Sequence, residues 1–95
     1  MFNIKILFLS LLEDIAGTKE ITLSLDSDST IKDVLKKLIT IYGRDFESTV
    51  LNNPETLNKY IIISLNGRDI RSLEYMNMNL HNGDELAFLP AIAGG

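Results

Sequence analysis

Residues 30–43 carry the clearest helix in the chain, and its single apolar face decides what the rest must do. Thr30 is placed to cap it, and Asp33, three residues on, is placed to answer that cap. Ile31, Val34, Leu35, Leu38, Ile41 and Tyr42 recur at spacings of three and four and so share one face, while Lys32, Lys36 and Lys37 fall on the other. The bland reading of the lysines is a solvated face. Gly43 follows where a helix commonly ends. An apolar stripe must be buried against another layer, and strands are read in the chain both before and after this helix. One helix on one mixed sheet is a two-layer α+β solution.

The strands are read from composition and alternation. Residues 3–9 are β-branched and aromatic, with Ile4, Ile6 and Phe8 on one face and Lys5, Leu7 and Leu9 on the other. Leu11, Leu12, Ile15 and Ala16 suggest a helical turn that Gly17 ends, and residues 19–25 alternate with Ile21, Leu23 and Leu25 inward. Beyond the helix, residues 44–58 are the least legible: Phe46, Val50 and Leu51 suit one more helical turn, which Asn52-Asn53-Pro54 breaks into an exposed loop at Pro54-Glu55-Thr56. Residues 60–65 form a strand, with Ile61, Ile63 and Leu65 inward and Ile62 outward. The Asn66-Gly67 turn follows it, and Arg68 to Ile70 return as a brief strand. Residues 71–79 are irregular, with Leu73, Tyr75 and Met76 able to pack down. A second turn at Asn82-Gly83-Asp84 leads to a last strand from Glu85 to Leu89. The order is ββαββ, with a sheet of four to five strands.

Composition enters mainly by exclusion. Ninety-five residues make one domain, and 45% hydrophobic with 23% charged residues is globular rather than disordered. No apolar run reaches the roughly 20 residues that a bilayer span needs, and Lys5 interrupts the apolar N-terminus, so neither a membrane segment nor a signal peptide is expected. There is no cysteine, which removes disulfides, thiolate metal sites and a cysteine nucleophile and suits a reducing cytoplasm. A net charge of −4 without a basic run argues against nucleic acid. The single histidine, His81, has no metal-ligand or triad partners at useful spacing. Asp84 and Glu85 are adjacent, so they point to opposite faces of a strand. A turn and a strand start explain them better than acid/base chemistry.

What remains is the end of the sequence, Gly83-Asp84-Glu85-Leu86-Ala87-Phe88-Leu89-Pro90 followed by Ala91, Ile92, Ala93, Gly94 and Gly95. Pro90 lacks a donor and is expected to stop sheet pairing, dividing the chain into a domain over 1–90 and a flexible tail over 91–95. Extended, five residues reach about 17 Å, enough to thread a carboxylate into another protein's active site. Gly94 and Gly95 keep the tail narrow and leave the terminal carbonyl carbon open to attack. Alternation points to a companion surface. If the helix covers the Ile4, Ile6 and Phe8 face, then Leu7, Leu9, Ile62 and Leu89 form an aliphatic patch beside the tail, with Pro90 at its edge. The competing reading is that residues 44–58 cover that face.

These residues resemble the small subunit of molybdopterin synthase, the MoaD family, within the ubiquitin-like β-grasp fold. Ile4-Lys5-Ile6-Leu7-Phe8 through Leu12-Glu13-Asp14-Ile15-Ala16-Gly17 carry part of the resemblance. The rest runs from Leu65-Asn66-Gly67 to Gly83-Asp84-Glu85-Leu86-Ala87-Phe88-Leu89-Pro90 and the Gly94-Gly95 end. Ala91 stands where the family often has a second proline, and Ala93 where it often has Ser or Thr.

The resemblance implies a non-catalytic sulfur carrier. A ubiquitin-activating-type adenylyltransferase (MoeB-like) would use ATP to adenylate Gly95, and sulfur would replace AMP to leave a thiocarboxylate. The chain would then dock on the large, MoaE-like subunit of molybdopterin synthase, as a heterotetramer in which the large subunit holds the catalytic groups. The sulfur would pass to a pterin precursor in molybdenum cofactor biosynthesis. No permanently bound cofactor or metal is implied. Carriers of this type also serve tungsten-pterin and, as ThiS-like proteins, thiamine thiazole pathways. Archaeal ubiquitin-like modifiers of the same build form isopeptide bonds through the terminal glycine.

Overall fold

The computed structural model describes residues 2–53, 56–70 and 77–91. Strand β1 (Phe2–Phe8) is followed by helix α1 (Leu11–Ala16), strand β2 (Glu20–Leu25), helix α2 (Ile31–Tyr42) and helix α3 (Arg44–Val50). Strands β3 (Leu51–Asn53), β4 (Thr56–Leu57), β5 (Ile61–Leu65), β6 (Arg68–Asp69) and β7 (Glu85–Pro90) complete the order. Five strands form one mixed sheet in the order β2-β1-β7-β5-β6. β1 and β7 lie parallel at its centre, and the other neighbours are antiparallel. This is the α+β β-grasp architecture.

Helix α2 follows from its sequence. The Thr30 hydroxyl accepts the Asp33 N–H, and Asp33 Oδ2 accepts the Thr30 N–H at 2.9 Å, a reciprocal cap that satisfies two otherwise orphaned donors. Ile31, Val34, Leu35 and Leu38 are buried against the sheet face that holds Ile4, Ile6, Phe8, Ile63, Leu86 and Phe88. Ile41 departs from expectation. It is 54% exposed, while Ile39 packs against the core. At about 100° per residue the two lie about 80° to either side of Ile31, so periodicity ranks them equally and the core reaches only the Ile39 flank.

Residues 44–58 hold more order than their sequence suggests. α3 buries Phe46 and Val50, and its end runs into β3, which pairs with β4 as a separate two-stranded sheet. The Phe46 ring meets Phe8 at 6.1 Å and Phe88 at 5.8 Å, so α3 extends the helical layer over the inner face of the sheet. Pro54, Glu55, Leu73, Tyr75 and Met76, for which a loop or packing was expected, lie outside the described residues.

Two turns set the register of β7. Asn66 and Gly67 both take positive φ, 51° and 88°, as a tight hairpin with right-handed twist requires. The Asn66 amide donates to Asp84 Oδ1 at 2.9 Å, and its carbonyl oxygen accepts the Glu85 N–H at 2.9 Å. Asp84 Oδ2 in turn accepts the His81 N–H at 2.7 Å. The Asp84 carboxylate is therefore a structural acceptor that ties two turns to the start of the last strand.

Candidate functional site: the outer sheet face and the root of the tail

The register places the expected aliphatic residues together. β1 pairs Leu7 with Ala87, and β5 pairs Ser64 with Ala87, so these three form one outward row. The next row is Leu89 beside Ile62. Leu9 extends that row on the other side, because its N–H donates to the Phe88 carbonyl at 3.0 Å just past the end of β1. Leu9 is 41% exposed, and Leu7, Ile62 and Leu89 are half-buried. Toward the opposite end the same face turns polar, with Lys5 beside Thr22 and Glu85, and Asn3 hydrogen-bonded to Ser24. α3 lies on the inner side, so among the described residues nothing from 44–53 covers the aliphatic end.

Two corrections follow from the same alternation. Pro90 does not join the outward rows: it pairs with Ile61, which is buried, and shares the parity of Leu86 and Phe88. Nor does Pro90 end the ladder. The Asn66 N–H donates to the Glu85 carbonyl and the Ala91 N–H to the Tyr60 carbonyl at 2.6 Å, so odd-numbered residues of β7 exchange hydrogen bonds with the β5 side. The nitrogen of Pro90 faces the other way, beyond the end of β1, where no donor is needed. Pairing therefore continues through Ala91. Ile92, Ala93, Gly94 and Gly95 lie outside the described residues.

Sequence reading missed Tyr60. It is 60% exposed, has the outward parity of Ile62, and sits opposite Ala91 at the root of the tail. Carrying the alternation of residues 61–65 back by two positions would have found it. The Lys59 ammonium lies 5.2 Å from its ring centroid, so a cation and an aromatic face flank the tail's exit. Among the described residues no group of His, Cys, Asp or Glu side chains is arranged to hold a metal ion, and no helix is long and apolar enough to cross a membrane.

Comparison with known proteins gives the family of this fold. Residues 6–95 match the model of the ThiS family. A protein of Archaeoglobus fulgidus, named as a candidate sulfur carrier, is 32% identical over 74 residues, 77% of this chain and 83% of the relative. The small archaeal modifier protein 3 of Haloferax volcanii is 28% identical over 93 residues, 98% of this chain and 99% of the relative. The solution structure of the small archaeal modifier protein 1 of Methanosarcina acetivorans superposes with a TM-score of 0.79 at 30% identity, covering 100% of this chain and 98% of that one. On this match and this fold, the chain belongs to the ThiS family and is a β-grasp protein of the ubiquitin-like sulfur-carrier type.

Proposed function

We propose that this chain presents the carboxylate of Gly95, as its C-terminal residue, to partner enzymes, and that its cargo is sulfur destined for the dithiolene of a pterin. The observation that carries this reading is one corner of the sheet. There the Leu7 row, the Leu9-Leu89-Ile62 row and the root of the tail meet on the same face. A partner that grips the aliphatic rows receives the tail in its own active site.

The chemistry needs an activated acyl group. A terminal carboxylate with a pKa of about 3.5 is anionic at neutral pH and a poor acyl donor. One carboxylate oxygen attacks the α-phosphorus of ATP on a ubiquitin-activating-type adenylyltransferase and displaces pyrophosphate. A sulfur nucleophile at the sulfide level then attacks the acyl carbon and releases AMP, which leaves the thiocarboxylate. On the large subunit of molybdopterin synthase that sulfur bonds to a side-chain carbon of the pterin precursor as the C–O bond there breaks and its oxygen leaves. Water then cleaves the resulting thioester, leaving the sulfur on the pterin and restoring the carboxylate. The carrier contributes no catalytic side chain. Its part is to dock, to reach and to leave the acyl carbon unhindered, which the missing Cβ atoms of Gly94 and Gly95 favour.

A second reading is favoured by the modifier names of the Haloferax and Methanosarcina relatives. The same adenylate would be attacked by a lysine amine, giving an isopeptide bond in place of a thiocarboxylate. Mass spectrometry of the protein from its native host separates the two. The carrier predicts the mass increment of one oxygen exchanged for one sulfur on Gly95. The modifier predicts Gly-Gly remnants on lysines of other proteins. Deleting Gly94 and Gly95 in the host should abolish pterin synthesis; loss of thiazole synthesis instead would redirect the cargo to thiamine. Finding neither product, with both pathways intact after the deletion, would sink the carrier reading.

A further inference from the structure

We propose that Asn58 is a positioning residue that fixes where the arm leaves the sheet, an inference that rests on Gly95 being the delivered group. Asn58 is half-buried and joins three partners. Its N–H donates to the Val50 carbonyl at 2.8 Å, anchoring it to the end of α3. Its own carbonyl accepts the Ile61 N–H at 3.0 Å, and its Oδ1 accepts the Tyr60 N–H at 2.9 Å. The last is an Asx turn, in which a short side chain bonds the backbone two residues on. Together these hold Tyr60 with its carbonyl turned toward β7, where it accepts the Ala91 N–H at 2.6 Å.

Among the described residues that bond is the last rung of the β5–β7 ladder, and the register gives it unusual leverage. Pro90 has no N–H and the wrong parity to bond β5, so the rung before it belongs to Leu89 and Ile62. Losing the Ala91 rung thus moves the pivot of the arm from Ala91 back to Leu89. The stretch of sequence beyond the last bonded described residue grows from the four residues after Ala91 to the six after Leu89. A terminal rung of this kind is where a sheet frays first. The Asn58 side chain is what holds the acceptor in place, so it sets both the length and the direction of the working arm. Docking through Leu7, Leu9, Ile62 and Leu89 does not involve it.

The test pairs amide exchange with activation. In the wild-type chain the Ala91 amide should be protected from hydrogen exchange. In Asn58→Ala that protection should be lost while the Ile62 and Leu89 amides keep theirs. Asn58→Asp, which retains an oxygen acceptor for the Tyr60 N–H, should restore it. In chain-dependent ATP–pyrophosphate exchange by the host's adenylyltransferase, Asn58→Ala should lower the saturating rate with little change in the half-saturating chain concentration. The expected fall is about two- to tenfold, from lower effective concentration of the lengthened arm and from misorientation. An Ala91 amide unprotected in the wild type, or one equally protected in Asn58→Ala, overturns the proposal even if the variant is unstable. So does a variant as active as a functioning wild type. Loss of Ala91 protection together with a wild type that is never adenylated leaves Asn58 holding the arm and defeats the carrier reading instead.

Discussion

At the scale of a single residue, Asp33 shows how a cap becomes a pH dependence. The Thr30 N–H bonded to Asp33 Oδ2 holds this carboxyl below the usual carboxylate range. Slight burial opposes the shift, while the Thr30 hydroxyl, Lys36 and Lys32 reinforce it. A carboxyl lowered in the folded state stabilises the fold above its unfolded pKa of about 3.9, and that contribution disappears as pH falls through the folded value. Asp33→Asn should therefore cost roughly 0.3–1 kcal/mol at pH 7, the range for a charge at a helix N-terminus. Urea denaturation of both proteins at pH 7 and near pH 3 checks this: the gap should close in acid, and a gap that widens in acid would refute the assignment. Ile39 and Ile41 mark the limit of such local reasoning. The cap was legible because it lies within four residues, whereas which flank of the helix is covered depends on the distant sheet.

At the scale of the element, β2 is an edge strand that its neighbours shield. The Phe8 N–H donates to the Lys19 carbonyl and β1 pairs Ile6 with Ile21, so odd positions of β2 bond β1. Glu20, Thr22 and Ser24 therefore turn their backbone groups to the open edge. Two of those three carbonyls are taken: Thr18 Oγ1 donates to the Glu20 carbonyl at 3.2 Å and Lys37 Nζ to the Ser24 carbonyl at 3.1 Å. The opposite edge, β6, is only two residues long. Short edges and lysines are common defences against strand addition. The double change Thr18→Val with Lys37→Ala should tighten self-association roughly tenfold, since two freed carbonyls are worth about 0.5–1.5 kcal/mol each in new hydrogen bonds. Sedimentation equilibrium reads this directly, and an unchanged association constant would show that the edge needs no guard. Sequence alternation found β1, β2, β5 and β7 and the faces they bury. It left Lys37 on a merely solvated face, because its acceptor is thirteen positions away on a strand. The β3–β4 pair was missed for a related reason: segments of three and two residues are too short for alternation to be read.

At the scale of the whole molecule, the proposed function divides two duties between the faces of the sheet. The inner face meets the helices and carries stability, with Phe8, Phe46 and Phe88 clustered beneath the same end of β7 that leads to the arm. On the proposed function the outer face at that end carries recognition, and its division into a polar and an aliphatic half puts the aliphatic half next to Ala91, where the tail begins. The patch could be foreseen from period-two alternation alone. That Pro90 belongs to the inner face, and that Ala91 still pairs, could not be, because both depend on which β7 groups turn toward β5. The division predicts that recognition can be damaged without damage to folding. Leu89 is half-buried and faces outward beside Ile62, so Leu89→Asp removes apolar area from the docking face and none from the core. Burying a leucine side chain is worth about 1.5–3 kcal/mol. If the proposed docking on an adenylyltransferase holds, its dissociation constant should therefore rise by about ten- to a hundredfold. The folding free energy should fall by no more than about 1 kcal/mol, the span of strand propensities. Calorimetric titration beside thermal unfolding of the same sample tests both halves. A variant that unfolds would move Leu89 into the core, and one that binds as well as the wild type would remove the outer face from recognition altogether.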